Sequence, residues 1–304
     1  MPWIHELLLA PFETAFFGRA LLGGMLAASI CAIAGAWVVA RGMAFLGEAL
    51  GHGMLPGVAI ATLIGGSPLA GAAISAAAMA IGIGWLTRRA RLRDDTAIGI
   101  AFVGMLALGV VIVSHSGSFA TDATAILFGD VLAVQQAELI ALAIGLLGTA
   151  VLAAVLHRPI LALAFDERIA ATLRLRPGIA RIGLAALVTV AVVASYQAVG
   201  TLLVVALLVA PPAAAAAWSR SIAGSMLGGA VIGSLSVAVG LIASWHLGTA
   251  AGASIAIAAV LAFAASSALR SLTARRPRNG APVPTTTPAP EIGEPALASE
   301  RSAA

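Results

Sequence analysis

Arg41-Gly42-Met43-Ala44-Phe45-Leu46-Gly47-Glu48-Ala49-Leu50-Gly51-His52-Gly53-Met54-Leu55-Pro56-Gly57 opens an apolar run that continues to about Ile64. Within it a carboxylate and an imidazole, Glu48 and His52, stand four residues apart. On a helix those positions share a face, so both side chains point the same way. An acid at the centre of a membrane-length helix costs about 2.5–3.5 kcal/mol on insertion scales, and such residues mark functional sites or internal partners. One oxygen and one nitrogen donor suit zinc and related divalent cations. The same two groups could instead hydrogen-bond helices together. Residue type and spacing leave both readings open.

The rest of the chain places this run in a bilayer. Of 304 residues 61% are hydrophobic and 10% charged, with a mean hydropathy of +1.04. A soluble domain carries about 25% charged residues. All 17 basic residues are arginines. With no lysine the chain cannot be a P-loop ATPase or a Schiff-base enzyme. The single Cys31 excludes an intrachain disulfide framework and a Cys-x-x-Cys metal site. A pI near 10.9 would suit a nucleic-acid partner, but arginine-bearing loops between membrane spans explain it better. The first residues lack a basic n-region, so no cleavable signal peptide is expected.

A span needs about 20 mostly apolar residues. Nine are expected, at 17–40, 44–65, 68–87, 95–114, 136–156, 181–199, 201–218, 222–244 and 249–270, making an all-α polytopic membrane protein. Breaks or kinks are expected near Gly51-Gly53, Pro56 and Pro211-Pro212. With nine spans every loop arginine falls on one side: Arg41, the group from Arg88 to Arg93, the group from Arg158 to Arg181, Arg220, and Arg270 onward. The positive-inside rule makes that side cytoplasmic, with the N-terminus outside and the C-terminus inside. Residues 1–276 then form the membrane body, and the Pro-, Ala- and Thr-rich residues 277–304 are expected to be a disordered cytoplasmic tail.

Further candidates lie outside the central run. Segment 115–135 carries His115, Asp122 and Asp130 without a basic residue, and Glu138 follows; such a rim would attract cations, or be ordinary solvated loop. Asp95 reads as a helix-terminal acid, His115 and His246 as interfacial side chains at outer span ends, and His157 as a cytoplasmic-end residue for which an exit role stays open. The longest cytoplasmic connection, 157–181, contains Asp166-Glu167 ahead of Ala170, Ala171, Leu173 and Leu175, the pattern of a short helix with acids in its first turn.

The stretch from Arg41 to Gly57 resembles, almost residue for residue, the second span of the membrane-spanning permease subunits of ATP-binding-cassette importers for zinc, manganese and iron. Asp95-Thr96-Ala97-Ile98-Gly99-Ile100, Leu127-Phe128-Gly129, Phe165-Asp166, and Val199 to Val204 leading to Leu207-Leu208-Val209-Ala210-Pro211 are similar too, in the family's order, across residues 16–270. The resemblance implies a homodimeric bacterial inner-membrane permease, not itself an enzyme. It would work with a separate ATPase that hydrolyses ATP and a periplasmic or surface metal-binding protein. Glu48 and His52 would then contact the transported ion, zinc first and manganese next. Phe165, Asp166, Glu167, Ala170 and Ala171 would lie in the coupling helix that docks on the ATPase. No bound cofactor is implied. Glu48 stands where the family usually has Asp, and Arg174 where it usually has Gly. The rivals are an ion-coupled secondary carrier, an intramembrane metallohydrolase and a structural scaffold.

Overall fold

The computed structural model describes residues 14–90, 92–116, 131–165 and 177–274. Their regular structure is entirely helical. The helices are α1 (Ala15–Ala40), α2 (Phe45–Gly53), α3 (Leu55–Leu63), α4 (Pro68–Arg89), α5 (Asp94–Ser116), α6 (Gln136–Phe165), α7 (Pro177–Val199), α8 (Thr201–Ala216), α9 (Ile222–Leu247) and α10 (Ala251–Ala274), with a 3-10 turn at Val131–Ala133 before α6.

Seven of the nine expected spans are single helices long and apolar enough to cross a bilayer. The other two differ. The expected span 44–65 is two helices of nine residues each, α2 and α3, separated at Met54. Pro56 has no N–H for the carbonyl of His52, so the hydrogen-bond ladder stops there. The expected span 201–218 is the 16-residue α8, which continues through Pro211 and Pro212. Pro212 leaves the carbonyl of Leu208 without its intrahelical donor. That carbonyl faces α1 rather than an open cavity: it lies against Gly35, where any side chain would collide with it. Only Gly200 separates α7 from α8; its φ of 77° is open to glycine at little cost.

The connection expected at 157–181 is shorter than its sequence suggests. Helix α6 runs on through Pro159 to Phe165, and α7 begins at Pro177. An internal proline loses one hydrogen bond and bends a helix without ending it where flanking apolar residues continue to pack. The tail 277–304 lies outside the described residues.

Helix α1 is the centre of the bundle. It packs against α6, α7, α8 and α9 and buries Phe17, Ala27, Ile30, Cys31, Ala34, Trp37 and Val38. Helices α2 to α5 form a second group, joined to α7 through α4 and α2 and to α8 through α2. Within it α3 and α4 meet backbone to backbone. Gly57 and Gly71 each place the other's carbonyl where a Cβ would stand. Small residues permit this approach, which van der Waals contact then stabilises. The arginines of several connections gather at one end, where Arg41, Arg93 and Arg181 line a cleft of about 330 Å³ with Asp94 and Asp95. There Arg41 and Asp94 approach to 3.9 Å.

Replacing Gly71 by Leu should lower the thermal unfolding midpoint of the detergent-purified protein, since overpacking costs about 1–3 kcal/mol. Gly148 has open space around its Cβ position within α6, so Gly148→Ala should leave that midpoint unlowered or raise it slightly, alanine being the better helix former.

Candidate metal site

Helix α2 has two unlike faces. Leu46, Gly47, Ala49, Leu50, Gly51 and Gly53 are buried. Gly47 packs under Leu208 and Gly51 under Thr201, both on α8, while Gly53 meets Met79 on α4. The Gly53 carbonyl accepts a buried hydrogen bond from Ser75 Oγ at 2.7 Å. With glycines and small residues turned inward, Phe45, Glu48 and His52 are left on the opposite face, at the i, i+3, i+7 spacing of one stripe.

On that stripe the expected pair forms. His52 Nε2 lies 2.9 Å from Glu48 Oε1. The imidazole is 20% exposed and the carboxylate 36%, so the pair opens at the chain's surface. Exposed Phe45 lies on the same stripe. The imidazole packs edge-on against Phe102 of α5, ring centroids 5.6 Å apart, and Phe102 packs in turn on Phe45 at 5.3 Å. His52 Nδ1 is buried and has no hydrogen-bond partner among the described residues. No group of three or more His, Cys, Asp or Glu side chains that could hold a metal occurs among the described residues. One chain therefore offers one carboxylate and one imidazole, hydrogen-bonded to each other, with no third such ligand beside them among the described residues.

Other sequence candidates sit elsewhere. Glu138 lies in the first turn of α6, where its Oε2 accepts the N–H of Gln135 at 2.9 Å, a local helix cap. His115 belongs to the last turn of α5. Asp122 and Asp130 lie outside the described residues. Phe165 is the last residue of α6. Asp166, Glu167, Ala170 and Ala171 also lie outside the described residues. Asp94 and Asp95 occupy the first turn of α5, where carboxylates favour the helix dipole. His157 packs edge-on against the buried Trp37, with centroids 5.3 Å apart, and His246 lies in the last turn of α9.

Sequence reasoning did not find Phe102. Its 50-residue separation from His52 gives no local signal, whereas Phe45 could have been read from the stripe it shares with Glu48. The Arg41–Asp94 approach was equally out of reach, because it joins two loop ends that only the packing of α4 and α5 brings together.

Comparison with known proteins adds a third line. The model of the ABC 3 transport family matches residues 13–270. The chain is 33% identical over 251 residues to the manganese transport system membrane protein MntC of Listeria innocua, covering 83% of this chain and 89% of that one. It is 32% identical over 266 residues to the chelated iron transport system membrane protein YfeD of Yersinia pestis, covering 86% and 88%. Among solved structures it is similar to PsaBC from Streptococcus pneumoniae in complex with Fab, with a TM-score of 0.76 and 29% identity, covering 86% of this chain and 95% of that one.

Exchanging Glu138 for Ala should cost about 1 kcal/mol of thermal stability through the lost cap. Glu138→Gln keeps an acceptor for the Gln135 N–H and should melt with the unaltered protein.

Proposed function

The chain belongs to the ABC 3 transport family, and from that premise we propose that it is the permease of an ATP-driven importer whose cargo is manganese(II), passed by Glu48 and His52. It is a multi-pass protein of the bacterial cytoplasmic membrane and not itself an enzyme; ATP is hydrolysed by a separate partner subunit. A metal-binding protein on the outer side delivers the ion. The positive-inside distribution of arginine supports a cytoplasmic position for the end where Arg41, Arg93 and Arg181 gather. The segment 166–176, between α6 and α7, is then the region that meets the ATPase.

The observation that carries this reading is the pairing of Glu48 Oε1 with His52 Nε2 at 2.9 Å on the open face of α2, inside an otherwise apolar helical bundle. A carboxylate oxygen and an imidazole nitrogen are donors that manganese(II) and zinc(II) both accept. The names of the relatives, which carry manganese and iron, support manganese first. Zinc, the first choice on the sequence alone, stands second on this reading.

Two donors leave an ion short of a full shell. A twofold-related second copy would add another Glu48 and His52 across the axis. The exposure of Phe45 and Glu48 on this stripe supports such a cover, since a carboxylate facing lipid would be expensive. An incomplete shell within each subunit suits passage, because an ion held by a closed set of ligands would not leave. A secondary carrier would keep working without the ATPase. A metallohydrolase would need a third fixed ligand near the pair.

Cellular manganese, iron and zinc, measured by elemental analysis under metal limitation, test this in a strain lacking the gene. Restoring the gene should raise manganese several-fold. Glu48→Ala at equal membrane level should not raise it, and neither should the intact gene without the ATPase. A rise in zinc alone would replace manganese as the cargo. No response of any metal would reject the importer reading.

A further inference from the structure

The arginine cleft at the cytoplasmic end has no part in the passage of the ion. Its charged lining comes from three stretches of chain: Arg41 between α1 and α2, Arg93 with Asp94 and Asp95 at the start of α5, and Arg181 on α7. Three guanidinium groups against two carboxylates leave one positive charge among the described residues that line it. Arg41 and Asp94 are only 17% and 30% exposed, so charge here is screened less than on an open surface. A guanidinium presents a planar fork of N–H donors that matches the oxygens of a phosphate. The complement of this cleft is an oxyanion of one negative charge, which is what a phosphodiester is.

The surface beside the cleft is suited to hydrocarbon. Ile74, Ile81, Trp85 and Arg88 share one face of α4, and the first three are largely exposed. Aliphatic groups, then an indole, then a guanidinium follow the order in which a bilayer passes from its core to its headgroups. Arg88 Nη2 donates to the Gly178 carbonyl of α7 at 3.2 Å, closing the end of this face against the next helix. An apolar crevice between α2, α4 and α7, with Ile83 and the exposed Ile182 in its walls, runs into the cleft, and Arg41, Thr87 and Arg181 line both. A molecule lying here meets guanidinium groups at one end and aliphatic side chains at the other.

We propose that this cleft binds the headgroup of an anionic phospholipid of the inner leaflet. The phosphodiester lies among Arg41, Arg93 and Arg181, and the acyl chains follow Ile81 and Trp85 of α4 and Ile182 of α7. Basic pockets between membrane helices on the cytoplasmic side recognise such headgroups. A zwitterionic lipid brings its own ammonium and complements the cleft less well. The bound lipid ties together the entries to α2 and α5 and the first turns of α7, and so braces the helix that carries Glu48 and His52.

The test titrates the intact permease–ATPase complex in detergent with phosphatidylglycerol, or with phosphatidylethanolamine of the same chains, and counts bound lipid by native mass spectrometry. Metal and transport are not needed, so the outcome does not depend on the cargo. Phosphatidylglycerol should bind the more tightly. Arg93→Gln should weaken its binding about fivefold, the effect of one basic residue near an anionic surface. Asp95→Asn removes an opposing charge and should strengthen it, whereas Arg220→Gln, outside the cleft, should leave it unchanged. Equal binding of the two lipids would overturn the proposal, as would equal behaviour of Arg93→Gln and Arg220→Gln. Displacement of the lipid by glycerol phosphate at equal concentration would make the ligand a free phosphate and overturn it too. No retention of phosphatidylglycerol by the complex would overturn it and assign the cleft to the ATPase.

Discussion

In hydrocarbon no water is available to a backbone N–H or carbonyl, so every such group must be satisfied by the chain itself. That constraint accounts for the absence of strands among the described residues, and also for the details where helices are interrupted. Ser29, Thr62, Thr149 and Ser236 return their hydroxyls to carbonyls three or four residues back, hiding polar groups inside their own helices. Proline positions receive separate treatment. The Leu208 carbonyl, released by Pro212, is set against Gly35, a close contact of the Cα–H type. The Pro212 carbonyl accepts from Ser225 Oγ at 3.1 Å. The same accounting makes the open pair on α2 unusual, because its groups are turned outward at the surface of a single chain.

The pair exists because α2 spends its small residues on one side. Gly47 and Gly51 bring α8 close, Gly53 brings α4 close, and what remains is a stripe of Phe45, Glu48 and His52. A helix with larger residues at those glycine positions would stand off from α8 and could not hold its polar stripe at a fixed place. Packing and chemistry are thus divided between two faces of nine residues.

What the sequence made legible was local. Glu48 and His52 pair because i, i+4 contacts need only a helix, and the break near Pro56 follows from a missing N–H. The fifth span was expected to end at 156, but the apolar run around Pro159 keeps α6 intact to Phe165. Glu138 read as part of an acidic rim, yet its spacing of three from Gln135 was already the signature of a cap. Phe102 and the Arg41–Asp94 approach belong to tertiary structure, and no periodicity in a single chain encodes which distant helix will supply a neighbour.

The division of the second crossing at Met54 has a mechanical consequence. Helices α2 and α3 both pack on α4 and α5, but α2 also packs on α7 and α8, so the first piece has a wall of its own. A tilt imposed at Arg41 acts on a lever of nine residues, about 14 Å long, rather than on one the full depth of the bilayer. For a given displacement at its end, a lever this short turns through a larger angle than one spanning the bilayer, and Glu48 and His52 both stand on it.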